Sequence, residues 1–349
     1  MPDIIQVAAF CAVDGEAPAA CAGNPAAVVL FDGGYVFAGP DIVWPSTDFL
    51  SNMASRLAQP AAVFLIHADA GSKSSPASFY TRFFTSSGDE LPLCGHASLA
   101  AAHALWTTPG VLPTGATTTI LLPASPGVSP VELRRLGAGD YQVRLAAQVP
   151  TIILSSSTSP VSAADLAAAL GGFEGAFVAA TTPAGDVIIR INDASSSIDF
   201  TSIKPNPTKI NALFPSARIV SITAAYVGES RAQVQAADVV SRCFARGTED
   251  PVCAAAHAGL ACYWASQVDF SPCEKSSLRA WQASPRGGLL IAAIDRGANG
   301  GPEWVRLRGA CLTIIDEKTI KANEHAQLNA RLGLVAALKA EAAELPIAK

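Results

Sequence analysis

Twice along the chain an acidic approach and a breaker lead into an alanine-rich run that closes on an aromatic residue. The first is Glu90-Leu-Pro-Leu-Cys-Gly-His96, continuing through Ala97-Ser-Leu-Ala-Ala-Ala-His-Ala-Leu-Trp106. The second is Thr248-Glu-Asp-Pro251, continuing through Val252-Cys-Ala-Ala-Ala-His-Ala-Gly-Leu-Ala-Cys-Tyr-Trp264. Both read as helices, one architecture used twice, with Ala100–His103 matching Ala254–His257. A chance match in so alanine-rich a chain is the alternative. A small-residue first turn leaves free N–H groups open to another backbone or a ligand, and a helix N-terminus carries roughly half a positive charge. Two such starts facing one cleft would bind a carboxylate and stabilise an enolate.

At 349 residues the chain has room for two domains of about 100–200 residues, each with its own core. Strands are predicted at Ala61–Ile66, Phe79–Phe84, Tyr141–Leu145, Val187–Ile191, Ile219–Val227, Leu289–Ile294 and Trp304–Arg308, where β-branched or aromatic residues are bounded by Gly, Pro or Ser. They read as antiparallel pieces. Too few long helices separate them for a doubly wound fold, so the class is α+β. Ser46 can cap a helix ended by Pro60, and Ser162–Leu170 reads as a second short helix stopped by Gly171-Gly172. Small polar runs at Gly71–Ser78, Ser155–Pro160 and Ala194–Ser197 read as loops. The domains divide as 1–137 and 138–323. A terminal helix at 324–349, striped by Leu328, Leu332, Val335 and Leu338, packs back on the first domain or on a second subunit.

A net charge of -5 without a basic stripe argues against nucleic acid as a partner. No apolar run reaches the ~20 residues of a membrane span, and Met1-Pro-Asp-Ile-Ile-Gln-Val lacks the features of a secretory signal. The expectation is a cytoplasmic protein, without a membrane partner, acting on a small molecule. The eight cysteines include no C-x-x-C pair and read as free thiols, and neither they nor the five histidines show metal-ligand spacing, so no metal is expected.

Cys21-Ala-Gly-Asn-Pro-Ala-Ala-Val-Val29, Arg82-Phe-Phe-Thr85 leading to Glu90–His103, Glu249-Asp-Pro-Val followed by Ala-Ala-His257, and Arg286-Gly-Gly288 occur in order. Together they resemble the PhzF-like family of phenazine biosynthesis. The resemblance implies the diaminopimelate-epimerase fold: two similar domains, each wrapping antiparallel sheet around a central helix, with the active site between the helix starts. It also implies a cofactor-free isomerase or epimerase, often homodimeric, in which a glutamate shuttles a proton, helped by the His of Gly-His, the Asp of Glu-Asp-Pro and the Ser of Thr-Gly-Ser.

Carried over position by position, His96 and Asp250 match. The family glutamate falls at Gln59, which cannot titrate. The Thr-Gly-Ser-Ala run reads Cys253-Ala-Ala-Ala256, so the hydroxyl is lost at Ala255 while a thiol appears at Cys253. At a helix start that thiol can ionise more easily than a free cysteine, and His257 is four residues on, along the same face. Plainer readings stand beside these. Asp250 with Pro251 makes a good helix cap, His96 can be a satisfied polar residue, and Cys253 can be a small buried hydrophobe.

The expected catalytic set is therefore Asp250, His96, Cys253 and Gln59. The expected substrate contacts are Asn24, Gly95, Ala254, Ala255, Arg286 and Gly287, Arg286-Gly being either a turn or a carboxylate clamp. The function expected is cofactor-independent isomerisation in secondary metabolism. A repurposed cyclase or pericyclase, or a binding protein without catalysis, is the alternative that Gln59 keeps open.

Overall fold

The computed structural model describes residues 3–11, 22–31, 37–38, 41–42, 44–67, 77–112, 119–122, 131–153, 161–191, 199–226, 237–267 and 277–315. The terminal helix expected at 324–349 and most of the three small polar runs lie outside the described residues. In chain order the elements are β1 (Asp3–Ala9), β2 (Asn24–Phe31), β3 (Phe37–Ala38), β4 (Asp41–Ile42), α1 (Thr47–Leu57), β5 (Ala61–His67), β6 (Ala77–Thr85), β7 (Glu90–Leu91), α2 (Gly95–Thr107), β8 (Thr119–Leu122), β9 (Val131–Gly137) and β10 (Asp140–Ala146). There follow β11 (Thr151–Ile152), α3 (Ala163–Ala169), β12 (Ala176–Thr181), β13 (Val187–Ile191), α4 (Pro207–Leu213), β14 (Val220–Ala225), β15 (Val239–Ala245), β16 (Thr248–Asp250), α5 (Ala254–Ala265), β17 (Leu278–Gln282), β18 (Gly288–Arg296) and β19 (Pro302–Ile315).

The fold is α+β, rich in sheet, with the chain in two compact units. One holds Met1–Ala9, Pro25–Val143 and Ala310–Lys349; the other holds Phe10–Asn24 and Arg144–Gly309. Residues 10–24 accompany the second unit and the chain after 309 returns to the first, an exchange that a single cut at 137/138 does not contain.

The sheet is mixed rather than antiparallel throughout, which corrects the sequence expectation. In the first unit β2–β5 and β6–β8 are parallel, and in the second β13–β14 and β15–β17 are parallel. Each parallel pair is joined through a helix, α1, α2, α4 and α5 respectively, as parallel neighbours require. Periodicity within a strand gives no sign of its neighbour's direction.

Local signals set the exposed helices. Ser46 Oγ accepts from Phe49 N–H at 3.2 Å, Asp48 sits in the first turn and Arg56 in the last, and Ala58 closes α1 in the left-handed region at φ 52°. Leu50, Met53, Ala54 and Leu57 form its buried face, packing with Val29, Phe31, Phe64 and Phe84, at roughly 1.5–3 kcal/mol for each large side chain buried. Ser162 caps α3 in the same way through Asp165 N–H. The second unit's core joins Leu166, Ile189, Phe200, Ile210, Ile222, Phe244 and Trp281.

Helices α2 and α5 are different, being buried over almost their whole length. A shared device leads into each. Arg82 on β6 makes a two-pronged ion pair with Glu90 on β7 at 2.7 and 2.6 Å, and Arg242 on β15 does the same with Glu249 on β16 at 2.7 and 2.6 Å. The hairpins register Phe84 against Glu90 and Phe244 against Glu249. Then come Leu91-Pro-Leu-Cys94 and Asp250-Pro-Val-Cys253, and the two cysteines are the N-caps of α2 and α5. The repeat therefore aligns Cys94 with Cys253 and Gly95-His-Ala97 with Ala254-Ala-Ala256. The expected alignment of Ala100–His103 with Ala254–His257 is out of phase by five positions, because the hairpin and its proline, not the alanine run, fix where each helix begins.

Candidate active site

Asp250 ends β16 and is not the helix cap. Pairing of Cys243 with Asp250 draws it into the hairpin, and α5 starts at Ala254, so the cap-and-proline reading is corrected. Asp250 Oδ1 accepts from Val252 N–H at 3.1 Å and from Asn24 Nδ2 at 2.8 Å, and the same Asn24 amide donates to the Val252 carbonyl at 3.0 Å. Burial lifts the carboxyl from 3.8 to about 6, against the lowering effect of hydrogen bonds from Cys253, Val252 and Asn24. Its charge state thus changes just below neutral pH. Asn24 is wholly buried, and its Oδ1 has no hydrogen-bond partner among the described residues.

Cys253 is buried beside Cys243, and contact with that thiol, burial and the neighbouring Asp250 charge all hold its pKa well above the ordinary thiol value. The expectation of an easily ionised thiol fails because these effects outweigh the helix start. His257 does not engage the thiol. Its Nδ1 donates to the Cys253 carbonyl at 2.7 Å and its Nε2 lies 3.2 Å from Ser241 Oγ, so the ring is neutral with its proton on Nδ1 and burial lowers its pKa to about 4. Ala254 is buried and Ala255 half-buried in the first turn of α5.

Arg286 is spoken for by backbone. Its Nε donates to the Gly23 carbonyl at 3.0 Å and a terminal nitrogen to that of Ala22 at 3.2 Å, while Ala22 and Gly23 N–H donate to the carbonyls of Arg286 and Gly287 at 2.9 and 3.0 Å. Arg286 and Gly287 thereby carry the segment that presents Asn24 to Asp250. Gly288 lets two backbones meet, since a Cβ there would lie 2.2 Å from Val252 Cγ2 and 2.7 Å from the Phe10 carbonyl oxygen.

Two residues of this cluster escaped the sequence reading. Gln282, at the end of β17 and fully buried, accepts from Cys253 N–H at 2.8 Å and donates to the Asp250 carbonyl at 2.5 Å. Ser284 Oγ donates to the Pro251 carbonyl at 2.6 Å. For Gln282 the available signal is an uncharged polar residue between Trp281 and Ala283; Ser284 offers none.

In the first unit His96 is the second residue of α2, after Gly95. Its Nδ1 lies 3.4 Å from Cys94 Sγ, its Nε2 is buried without a partner among the described residues, and burial lowers its pKa to about 4. Gln59 follows the left-handed Ala58 and donates to Gln6 Oε1 at 3.4 Å and the Leu57 carbonyl at 3.3 Å. Asp250, Asn24, Cys253, Ala254, Ala255, Arg286 and Gly287 thus form one connected cluster in the second unit, whereas Gly95 with His96 and, separately, Gln59 belong to the first.

Comparisons with known proteins agree on one family. A family model described as phenazine biosynthesis-like protein matches residues 13–317. A phenazine biosynthesis-like domain-containing protein of Rattus norvegicus is 26% identical over 282 residues, 78% of this chain and 86% of that one. Its Mus musculus counterpart 1 is 27% identical over 226 residues, 62% and 70% of the two chains. A crystal structure of a PhzF-family phenazine biosynthesis protein from Enterococcus faecalis superposes with TM-score 0.63 at 25% identity, covering 90% of this chain and 96% of that one. One from Bacillus anthracis gives TM-score 0.65 at 17% identity, covering 90% and 98%. No helix among the described residues is long and apolar enough to cross a membrane.

Proposed function

The chain belongs to the phenazine biosynthesis-like family, and from that premise we propose that it is an isomerase-type enzyme acting on a small molecule, with Asp250 as the group that gives and takes a proton. The observation that carries this reading is the Asp250 carboxyl, oriented by Asn24 and Val252 N–H and lifted by burial to about 6. Proton transfer is fastest when the pKa of the acid–base group lies near the working pH, and most surface carboxylates are ionised far below it. Oδ1 accepts from Asn24 and Val252 N–H, and the Cys253 thiol is a further donor to the carboxyl, so the exchanging proton is placed on Oδ2 in this reading. His96, kept neutral by burial, serves as a hydrogen-bonding residue through Nε2 rather than as a charge. Cys253, kept protonated, serves as a donor rather than a base.

A second reading, cyclisation shaped by hydrogen bonds without net proton transfer, draws support from Gln59. Its amide donates inward to Gln6 and Leu57, and no charge can arise there. Turnover of small carbonyl-bearing and polyunsaturated acids in deuterated water separates the two. Carbon-bound deuterium in the product supports isomerisation; turnover without it favours the cyclase.

A further inference from the structure

Between Asp250 at the end of β16 and Ala254 at the start of α5 lie three residues of irregular backbone, Pro251-Val-Cys253, and the carbonyls and N–H groups from Asp250 to Cys253 need partners. Side chains supply most of them. Val252 N–H is bound by the Asp250 carboxylate itself, the Val252 carbonyl by Asn24, the Pro251 carbonyl by Ser284, and the Cys253 carbonyl by His257. The two ends, the Asp250 carbonyl and the Cys253 N–H, go to a single amide, that of Gln282.

We propose that Gln282 is a positioning residue for Asp250: by tying both ends of this connection with one amide, it keeps Val252 N–H and Asn24 aimed at Asp250 Oδ1. The role rests on the reading of Asp250 as the acid–base group. The amide is suited to it because it offers a donor to a carbonyl on one side and an acceptor to an N–H on the other. Gln282 itself is fixed, since its backbone pairs with Gly288 on β18 and with Ser241 on β15. A thioether in its place would leave two buried backbone groups unpaired, and a carboxylate would set an acceptor against the Asp250 carbonyl.

Hydrogen exchange of the Val252 amide tests this, because that N–H is held by Asp250 and not by Gln282. In the full chain labelled with 15N-valine, Gln282→Met is expected to speed Val252 exchange by about tenfold or more while Val239 and Val240 on β15 keep their protection. Gln282→Glu at pH 7.5, which preserves volume and the acceptor but not the donor, is expected to do the same. Unchanged Val252 exchange in both variants would overturn the proposal. So would equal acceleration of Val239, Val240 and Val252, or failure of both variants to fold, either of which leaves Gln282 a purely structural residue. The Asp250 carboxyl, followed by 13C in the same variants, is expected to titrate at a higher pH than in the wild type as its two donors lose their aim, and an unchanged midpoint would overturn the proposal. Turnover is not read, so an Asp250 inert in catalysis would sink the functional reading through the deuterium experiment and leave this result standing.

Discussion

Asn24 and Asp250, 226 residues apart in sequence, share a 2.8 Å hydrogen bond in which the amide donates to the carboxylate. Since Asn24 also donates to the Val252 carbonyl, and Val252 N–H donates back to Asp250, the carboxyl is held at one oxygen by two fixed donors.

Replacing Asp250 by Asn leaves an oxygen able to accept from Asn24 and Val252, removes the charge and puts an NH2 donor where the second oxygen stood. Turnover is expected to fall by about a hundredfold or more. Stability should move the other way. The folded pKa is raised, so the contribution of Asp250 is fully present below about 3.8 and is lost as pH rises through about 6. Above that pH the wild type holds a buried charge that Asp250→Asn lacks. Melting temperatures should therefore be higher for the variant at pH 7.5 and should converge with the wild type near pH 4. A variant less stable at pH 7.5 would contradict the account of burial.

Three buried histidines act with the opposite sign. His96, His103 and His257 are each lowered from 6.5 to about 4, chiefly by burial. Their contribution is present above 6.5 and lost as pH falls through 4. Three groups outweigh one carboxyl, so urea midpoints should drop between pH 7 and pH 4.5. A flat profile would mean that these rings are hydrated.

The repeated arginine–glutamate pair offers an internal comparison. The Arg242 side chain is 10% exposed and also donates to the Ile203 carbonyl at 2.9 Å, whereas Arg82 is 16% exposed and its partner Glu90 36%. Arg242→Met, which strands the Glu249 charge, should cost about 3–5 kcal/mol. Arg82→Met, with a wetter partner, should cost about 1–2 kcal/mol. Equal losses in denaturant unfolding would show that burial does not separate the pairs.

Gly288→Ala should destabilise by about 1–3 kcal/mol, because the added methyl meets both a side chain and a carbonyl oxygen. An unchanged denaturation midpoint would show that the two backbones can part without loss.

What could be read in the sequence was local. Ser46 and Ser162 announced their helices because a cap acts within three residues. The cap-like Asp250-Pro251 points to a start of α5 three residues too early, because the pairing that draws Asp250 onto β16 involves Cys243, on another strand. Arg286 could be read as a clamp because its carbonyl partners lie 263 and 264 residues away. Gln282 offers even less, since the burial of its side chain depends on strands β15 and β18 arriving beside β17.

The central claim is that Asp250 is kept ready to exchange a proton near neutral pH. Aspartate labelled with 13C at the carboxyl, with Asp250→Asn used to assign the resonance, allows its titration to be followed directly. The account predicts a midpoint near 6 in the wild-type protein. A midpoint at or below the ordinary carboxylate value of 3.8 would contradict it and return Asp250 to a purely structural role.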